Sequence, residues 1–159
     1  MKLRTIIVHR QPARLSKRRE YLVYAILGGT WLTGAVWLAL HFYLREKAEF
    51  GFLPHPLEAW ALRMHGAFAF AALWLGGLLW AAHISAAWTL RRHRYSGITV
   101  ASLFAVLALS GYLLYYLGDE GWRDITSLAH WLIGLFGLIA LPLHSLRARS
   151  RRRGQRPGK

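Results

Sequence analysis

Four stretches, each of 22 residues or more, hold among them a single Asp, Glu, Lys or Arg. Tyr21 to Tyr43, Tyr95 to Leu117 and Ile125 to Leu146 contain none, and Ala59 to Leu90 contains only Arg63. A hydrocarbon core of about 30 Å is crossed by roughly 20 apolar residues rising 1.5 Å each, so every stretch is long enough to span it. A water-soluble bundle would need a polar face on each helix, and none of the four has one. The expected fold is therefore all-α: an up-down-up-down bundle of four transmembrane helices at about 21–43, 59–90, 95–117 and 125–146. These form one membrane domain, 21–146, between a basic segment at 1–20 and a basic tail at 147–159. The first stretch is read as an uncleaved helix, not a signal peptide. About 20 residues of basic leader precede it, its apolar run is too long, and no small-residue cleavage site follows.

Composition matters here for where the charge lies. The net charge is +14 although 55% of the chain is hydrophobic, so the two must be segregated. Seven Lys or Arg precede Tyr21, the second link carries Arg91, Arg92 and Arg94, and the tail from Arg147 carries seven more. The first and third links hold six of the seven acidic residues, Glu46, Glu49, Glu58, Asp119, Glu120 and Asp124. The positive-inside rule then puts both termini and the second link in the cytoplasm, with the chain multi-pass in a bacterial inner membrane. The basic flanks suit anionic lipid headgroups, so membrane lipid, and not nucleic acid, is the expected partner for that charge. With no cysteine there is no disulfide, no thiolate metal site, no chain-held iron–sulfur cluster and no covalently attached haem c. In the first link Pro54-His55-Pro56 predicts an extended turn. In the third, Gly118 to Gly121 predicts a tight one, with Asp124 placed to cap or favour the start of the last helix.

Four of the eight histidines lie inside these stretches, His65 and His83 on the second helix and His130 and His144 on the fourth. Polar, ionisable groups at membrane depth are costly and are usually kept for function. At 100° per residue, 18 positions bring His83 back to the face of His65 about 27 Å further along; 14 positions leave His144 about 40° from His130 and about 21 Å away. If helices two and four run parallel, His65 faces His130 at the outer level and His83 faces His144 at the inner one. Two imidazoles per level, with no thiolate or carboxylate beside them, suit the iron of a haem with two axial histidines. Zinc would want a third or fourth protein ligand. The histidine faces also read small, through Ala69, Ala72 and Gly76 on helix two and Gly134 and Gly137 on helix four. Helix three adds Gly97 and Gly111, with Ala101 and Ala108 between. The alternative is that small residues only let helices pack closely and that the histidines hydrogen-bond between them. The unequal spacings leave one pair staggered by about 6 Å unless tilt or a kink, for which Pro142 is placed, absorbs it.

In this pattern the chain resembles the four-helix di-haem b-type membrane cytochromes: the cytochrome b core of quinol–cytochrome c reductases, cytochrome b561-like proteins, and the membrane subunits of formate dehydrogenases and hydrogenases. The resemblance spans about Tyr21 to Leu146. It implies His65, His83, His130 and His144 as axial ligands of two haems b and Gly97 and Gly111 as ring-facing glycines. It departs from the pattern in the 18-residue spacing on helix two and in lacking a 14-spaced glycine pair on helix one, where Gly28, Gly29 and Gly34 stand. His41 is the alternative outer ligand. Arg63, with Arg91 or Arg92, lies at a depth suited to haem propionates and equally to lipid headgroups.

The function expected on this reading is electron transfer across the membrane, as a subunit of an oxidoreductase complex and not as a stand-alone enzyme. The expected partners are quinol or quinone and a periplasmic redox subunit, such as a c-type cytochrome or a molybdenum or nickel enzyme. Glu58, Asp119 and Glu120 are outer candidates, and His93 an inner one, for exchanging protons with a quinone. The competing readings are a haem-free scaffold or assembly subunit, or a small proton or metal-ion transporter; the lack of intramembrane carboxylates argues against a proton carrier.

Overall fold

The computed structural model describes residues 16–49, 51–81 and 94–153. Four long helices dominate: α1 (Lys17–Tyr43), α2 (Pro56–Leu79), α3 (Arg94–Tyr116) and α4 (Glu120–Arg153). All four are long and apolar enough to cross a membrane. Among the described residues only Leu40, Ala72 and Leu75 are buried apolar side chains, whereas Leu32, Phe70, Trp74, Leu109 and Ile139 point outward. Water would penalise such a surface and lipid tails do not, so the chain is a multi-pass membrane protein with its apolar side chains turned toward lipid.

α1, α2 and α4 start where local chemistry satisfies free N–H groups. Ser16 accepts from the Arg19 N–H at 3.4 Å at the head of α1. At the head of α2, His55 Nδ1 accepts from the Leu57 N–H at 3.2 Å and Glu58 Oε1 from the His55 N–H at 3.3 Å. This capping box, with Pro56 in the first turn, starts the helix at Pro56, three residues earlier than its apolar run. At the head of α4 the cap is Asp119, whose Oδ1 accepts from the Trp122 N–H at 2.9 Å. Asp124, the residue expected to cap, lies a full turn inside the helix. α4 also continues past Leu146 to Arg153, because Arg and Ala are good helix formers, positive charge suits a helix C-terminus, and no glycine or proline intervenes before Gly154. It runs through Pro142 as well.

The first link is more ordered than an extended turn. Strands β1 (Glu46–Ala48) and β2 (Gly51–Leu53) pair antiparallel, with Glu46 opposite Leu53 and Ala48 opposite Gly51. Gly51 has φ of 129°, a conformation that a side chain would strain. The far end of the second stretch and the second link, 82–93, lie outside the described residues.

Neighbouring helices meet at small residues. α1 and α2 touch at Gly29 with Phe68 and at Gly34 with His65, and α2 and α3 at Gly66 with Tyr115 and at Gly76 with Phe104. α3 and α4 touch at Gly111 with His130 and at Gly134 with Leu107. Polar residues that would otherwise be unsatisfied in an apolar setting bond back to their own helix: Thr30 to Ile26 O at 2.9 Å, Thr33 to Gly29 O at 2.7 Å and Ser110 to Val106 O at 2.7 Å.

Candidate site between the two hairpins

The helical faces place the small residues and the intramembrane histidines together. His65, Ala69, Ala72, Gly76 and Leu79 are all buried or half-buried on α2, as are His130, Gly134, Gly137, Leu141 and His144 on α4 and Gly97, Ala101, Ala108 and Gly111 on α3.

His65 and His130 come together. Their ring centres are 6.2 Å apart with the planes at 85°. Each ring is held by the helix that precedes its own in the chain. His65 Nδ1 lies 2.8 Å from the Thr30 carbonyl oxygen and 3.4 Å from Thr33 Oγ1. His130 Nδ1 lies 2.8 Å from Ser110 Oγ. A glycine backs each ring, Gly34 beside His65 and Gly111 beside His130; a Cβ on either would stand 3.1 Å or 3.4 Å from the ring's Cε1. The two hairpins thus present one imidazole each from matching surroundings, a hydroxyl-bearing residue and a glycine on α1 or α3 supporting a histidine on α2 or α4.

The separation can be set against a metal's requirement. An ion bonded to one nitrogen of each ring needs about 2 Å for each metal–nitrogen bond and about 1 Å from each nitrogen to its ring centre, about 6 Å in all. The 6.2 Å found fits. With both Nδ1 atoms engaged by oxygen, Nε2 is the nitrogen each ring can offer. The donor set is two imidazoles in an apolar surround, and no group of three or more His, Cys, Asp or Glu that could hold an ion occurs among the described residues. A pair of imidazoles is a donor set that could hold the iron of a haem.

At the second level, His144 lies on the same face of α4 as His130, half-buried. Its expected partner His83, with Arg91, Arg92 and His93, lies outside the described residues.

The remaining candidates are distributed differently. Gly97 and Gly137 have open space where a Cβ would stand, whereas Gly76 is filled: Phe104 of α3 lies against it, so close that a Cβ would sit 2.9 Å from the ring. The smallness of Gly76 thus receives a phenylalanine. Arg63 is exposed, with its guanidinium 5.2 Å from the centre of the Trp60 ring.

His41 and Glu58 form a cluster of their own at the head of α2. Glu58 is 6% exposed. Its carboxylate accepts from Arg45 Nε at 2.8 Å and Arg45 Nη2 at 2.9 Å, with His41 Nδ1 at 3.4 Å. The hydrogen bond to Glu58 holds the Arg45 guanidinium above its already high ordinary value, with desolvation opposing. The His41 ring stacks on Trp37 at 4.5 Å. His41 lies seven residues beyond Gly34 on α1, about 10 Å along the helix from the His65 contact. The cluster ties the first link to the top of the α1–α2 hairpin.

Sequence reasoning did not find Thr30, Thr33 or Ser110 as supports of the histidines, nor Arg45 as the partner of Glu58. A polar residue one helix away in the chain, facing a histidine with its hydroxyl or carbonyl, leaves no spacing signal. Trp31 Nε1, next to Thr30, is buried without a hydrogen-bond partner among the described residues. The chain matches no protein-family model, no curated protein and no solved structure, so its functional reading rests on its own residues.

Proposed function

We propose that the chain is a di-haem b-type cytochrome subunit of the bacterial inner membrane. On this reading it carries electrons between the quinone pool and a redox protein docked on the periplasmic side. His65 and His130 hold one haem b, and His83 and His144 the other. The observation that carries the reading is the outer pair: two imidazoles from separate hairpins, 6.2 Å between centres, each fixed through Nδ1 and backed by a glycine. A scaffold needs histidines only as hydrogen-bond partners between helices. That role is already filled by the Thr30 and Ser110 contacts, and it gives no reason for the two rings to meet.

When bound, haem would supply a one-electron couple, and its retention by two histidines, His65 with His130 and His83 with His144, would suit electron transfer. The protein's part is to hold the imidazoles, exclude water from between the hairpins and keep the two levels about a membrane's thickness apart. An electron moving across the full membrane does about 2.3 kcal/mol of work per 100 mV, so such a path can couple redox chemistry to the membrane potential. Both termini and the second link are cytoplasmic in this arrangement, with the helices alternating up and down. The outer links, which carry Glu46, Glu49, Asp119 and Glu120, would then meet a basic patch on the partner, a c-type cytochrome or a molybdenum or nickel enzyme.

Single substitutions test the reading. His130→Ala and His65→Ala should each remove the same one of two haems and leave the other's α-band intact. Retention of both haems at full amplitude in either variant would refute the assignment of that residue.

A further inference from the structure

We propose that Ser110 is a positioning residue that fixes the tautomer of His130. Ser110 Oγ lies 2.7 Å from Val106 O, 3.3 Å from Leu107 O and 2.8 Å from His130 Nδ1. A serine hydroxyl has one proton and two lone pairs, and a carbonyl oxygen can only accept. The short bond to Val106 O therefore uses the hydroxyl proton, and toward His130 the oxygen can only accept. The proton in the Ser110–His130 bond must sit on Nδ1, which leaves the lone pair of the neutral ring on Nε2.

Ser110 is 9% exposed, and there is no water in an apolar bundle to substitute for it. The same accounting holds for His65, with a difference. Its acceptor is the Thr30 carbonyl at 2.8 Å, a backbone group that no side-chain change removes. Thr33 Oγ1, whose proton has Gly29 O at 2.7 Å, is a more distant second acceptor at 3.4 Å. Both rings are thus set in the tautomer that offers Nε2, one by the main chain and one by a replaceable hydroxyl. His130 is the ring whose ligand strength the sequence can tune.

The consequence for electron transfer rests on the haem reading given above; the tautomer does not. A ring that donates Nδ1–H to an acceptor is a stronger base at Nε2, and loss of such an outer partner typically weakens metal binding about 10–100-fold. Ser110→Ala removes the acceptor with little change of volume, and Ser110→Thr keeps the hydroxyl.

The test uses full-length protein labelled with ¹⁵N in the histidine rings, purified in detergent and reduced so that any haem iron is diamagnetic. Wild type and Ser110→Thr should show a downfield, slowly exchanging Nδ1–H resonance assigned to His130 by its loss in His130→Ala; Ser110→Ala should move it upfield and speed its exchange. In the same samples the potential of the affected haem should rise in Ser110→Ala, as a weaker ligand base stabilises the ferric state less, and return in Ser110→Thr. An Nδ1–H resonance in Ser110→Ala with unmoved shift and unchanged exchange would overturn the proposal. Absence of haem from the wild type would overturn the functional reading instead, and the resonance would still decide the role of Ser110.

Discussion

Replacing Glu58 by Ala removes the one buried carboxylate at the head of α2, and the structure sets the scale of the loss. Glu58 accepts two bonds from Arg45 at 2.8 and 2.9 Å and one from the His55 N–H at 3.3 Å, with His41 beside it at 3.4 Å. Removing one member of a fully buried ion pair costs about 3–5 kcal/mol, because the other charge is left without a partner. The Arg45 side chain is 30% exposed and can turn to water or headgroups, which brings the expected cost to about 2–3 kcal/mol, the loss of the cap included. For a chain of this size that lowers the unfolding midpoint by about 5–10 °C. The assay is a double-mutant cycle in detergent, following helical circular dichroism on heating for Glu58→Ala, Arg45→Ala and the double variant. The pair predicts that the double variant is no less stable than Glu58→Ala alone, a coupling of about 1.5–3 kcal/mol. Strict additivity of the two single effects would refute the pairing and with it the account of how the first link is anchored.

Gly76→Ala should cost about 1–3 kcal/mol by driving a methyl into the Phe104 ring, and Phe104→Leu should recover most of that loss; equal stability of Gly76→Ala and wild type would contradict the contact. Asp119→Ala should cost about 1 kcal/mol by uncapping α4, while Asp124→Ala should cost a few tenths at most, and the reverse order on thermal denaturation would return the cap to Asp124. Single cysteines at Lys47 and Gly118 should be labelled by a membrane-impermeant maleimide added to intact cells and spheroplasts, and cysteines at Arg10 and Gln155 only after lysis. The opposite pattern would invert the orientation.

The helices and their inward faces were legible because one force wrote them. A membrane-spanning segment must be apolar over a fixed length, and small residues and histidines must recur at the helical period to share a face, as His65, Ala72 and Gly76 do. The ends of the helices were less legible. The apolar run stops where lipid stops, but the helix stops where capping fails, so Pro56 starts α2 before Ala59 and the arginines of the tail extend α4 to Arg153. The short hairpin of the first link escaped notice because strands of three residues carry no period. Within the site the histidines themselves could be read, since each is conspicuous against its surroundings. The groups that orient them could not: Thr30 acts through its main chain, and Ser110 is one hydroxyl among several on α3. Glu58 was legible as an acidic outer residue, but its binding to Arg45 depends on the turn made by the first link, which spacing does not encode.

The central claim is that the meeting of His65 and His130 is a haem site and one of two. The most direct test is the visible spectrum of the purified protein, dithionite-reduced minus oxidised, with haem counted by pyridine haemochrome against protein concentration. Two haems b per chain with a sharp α-band are expected. A folded protein, expressed with ample haem and containing none, would contradict it and leave the histidines as packing elements of a helical scaffold.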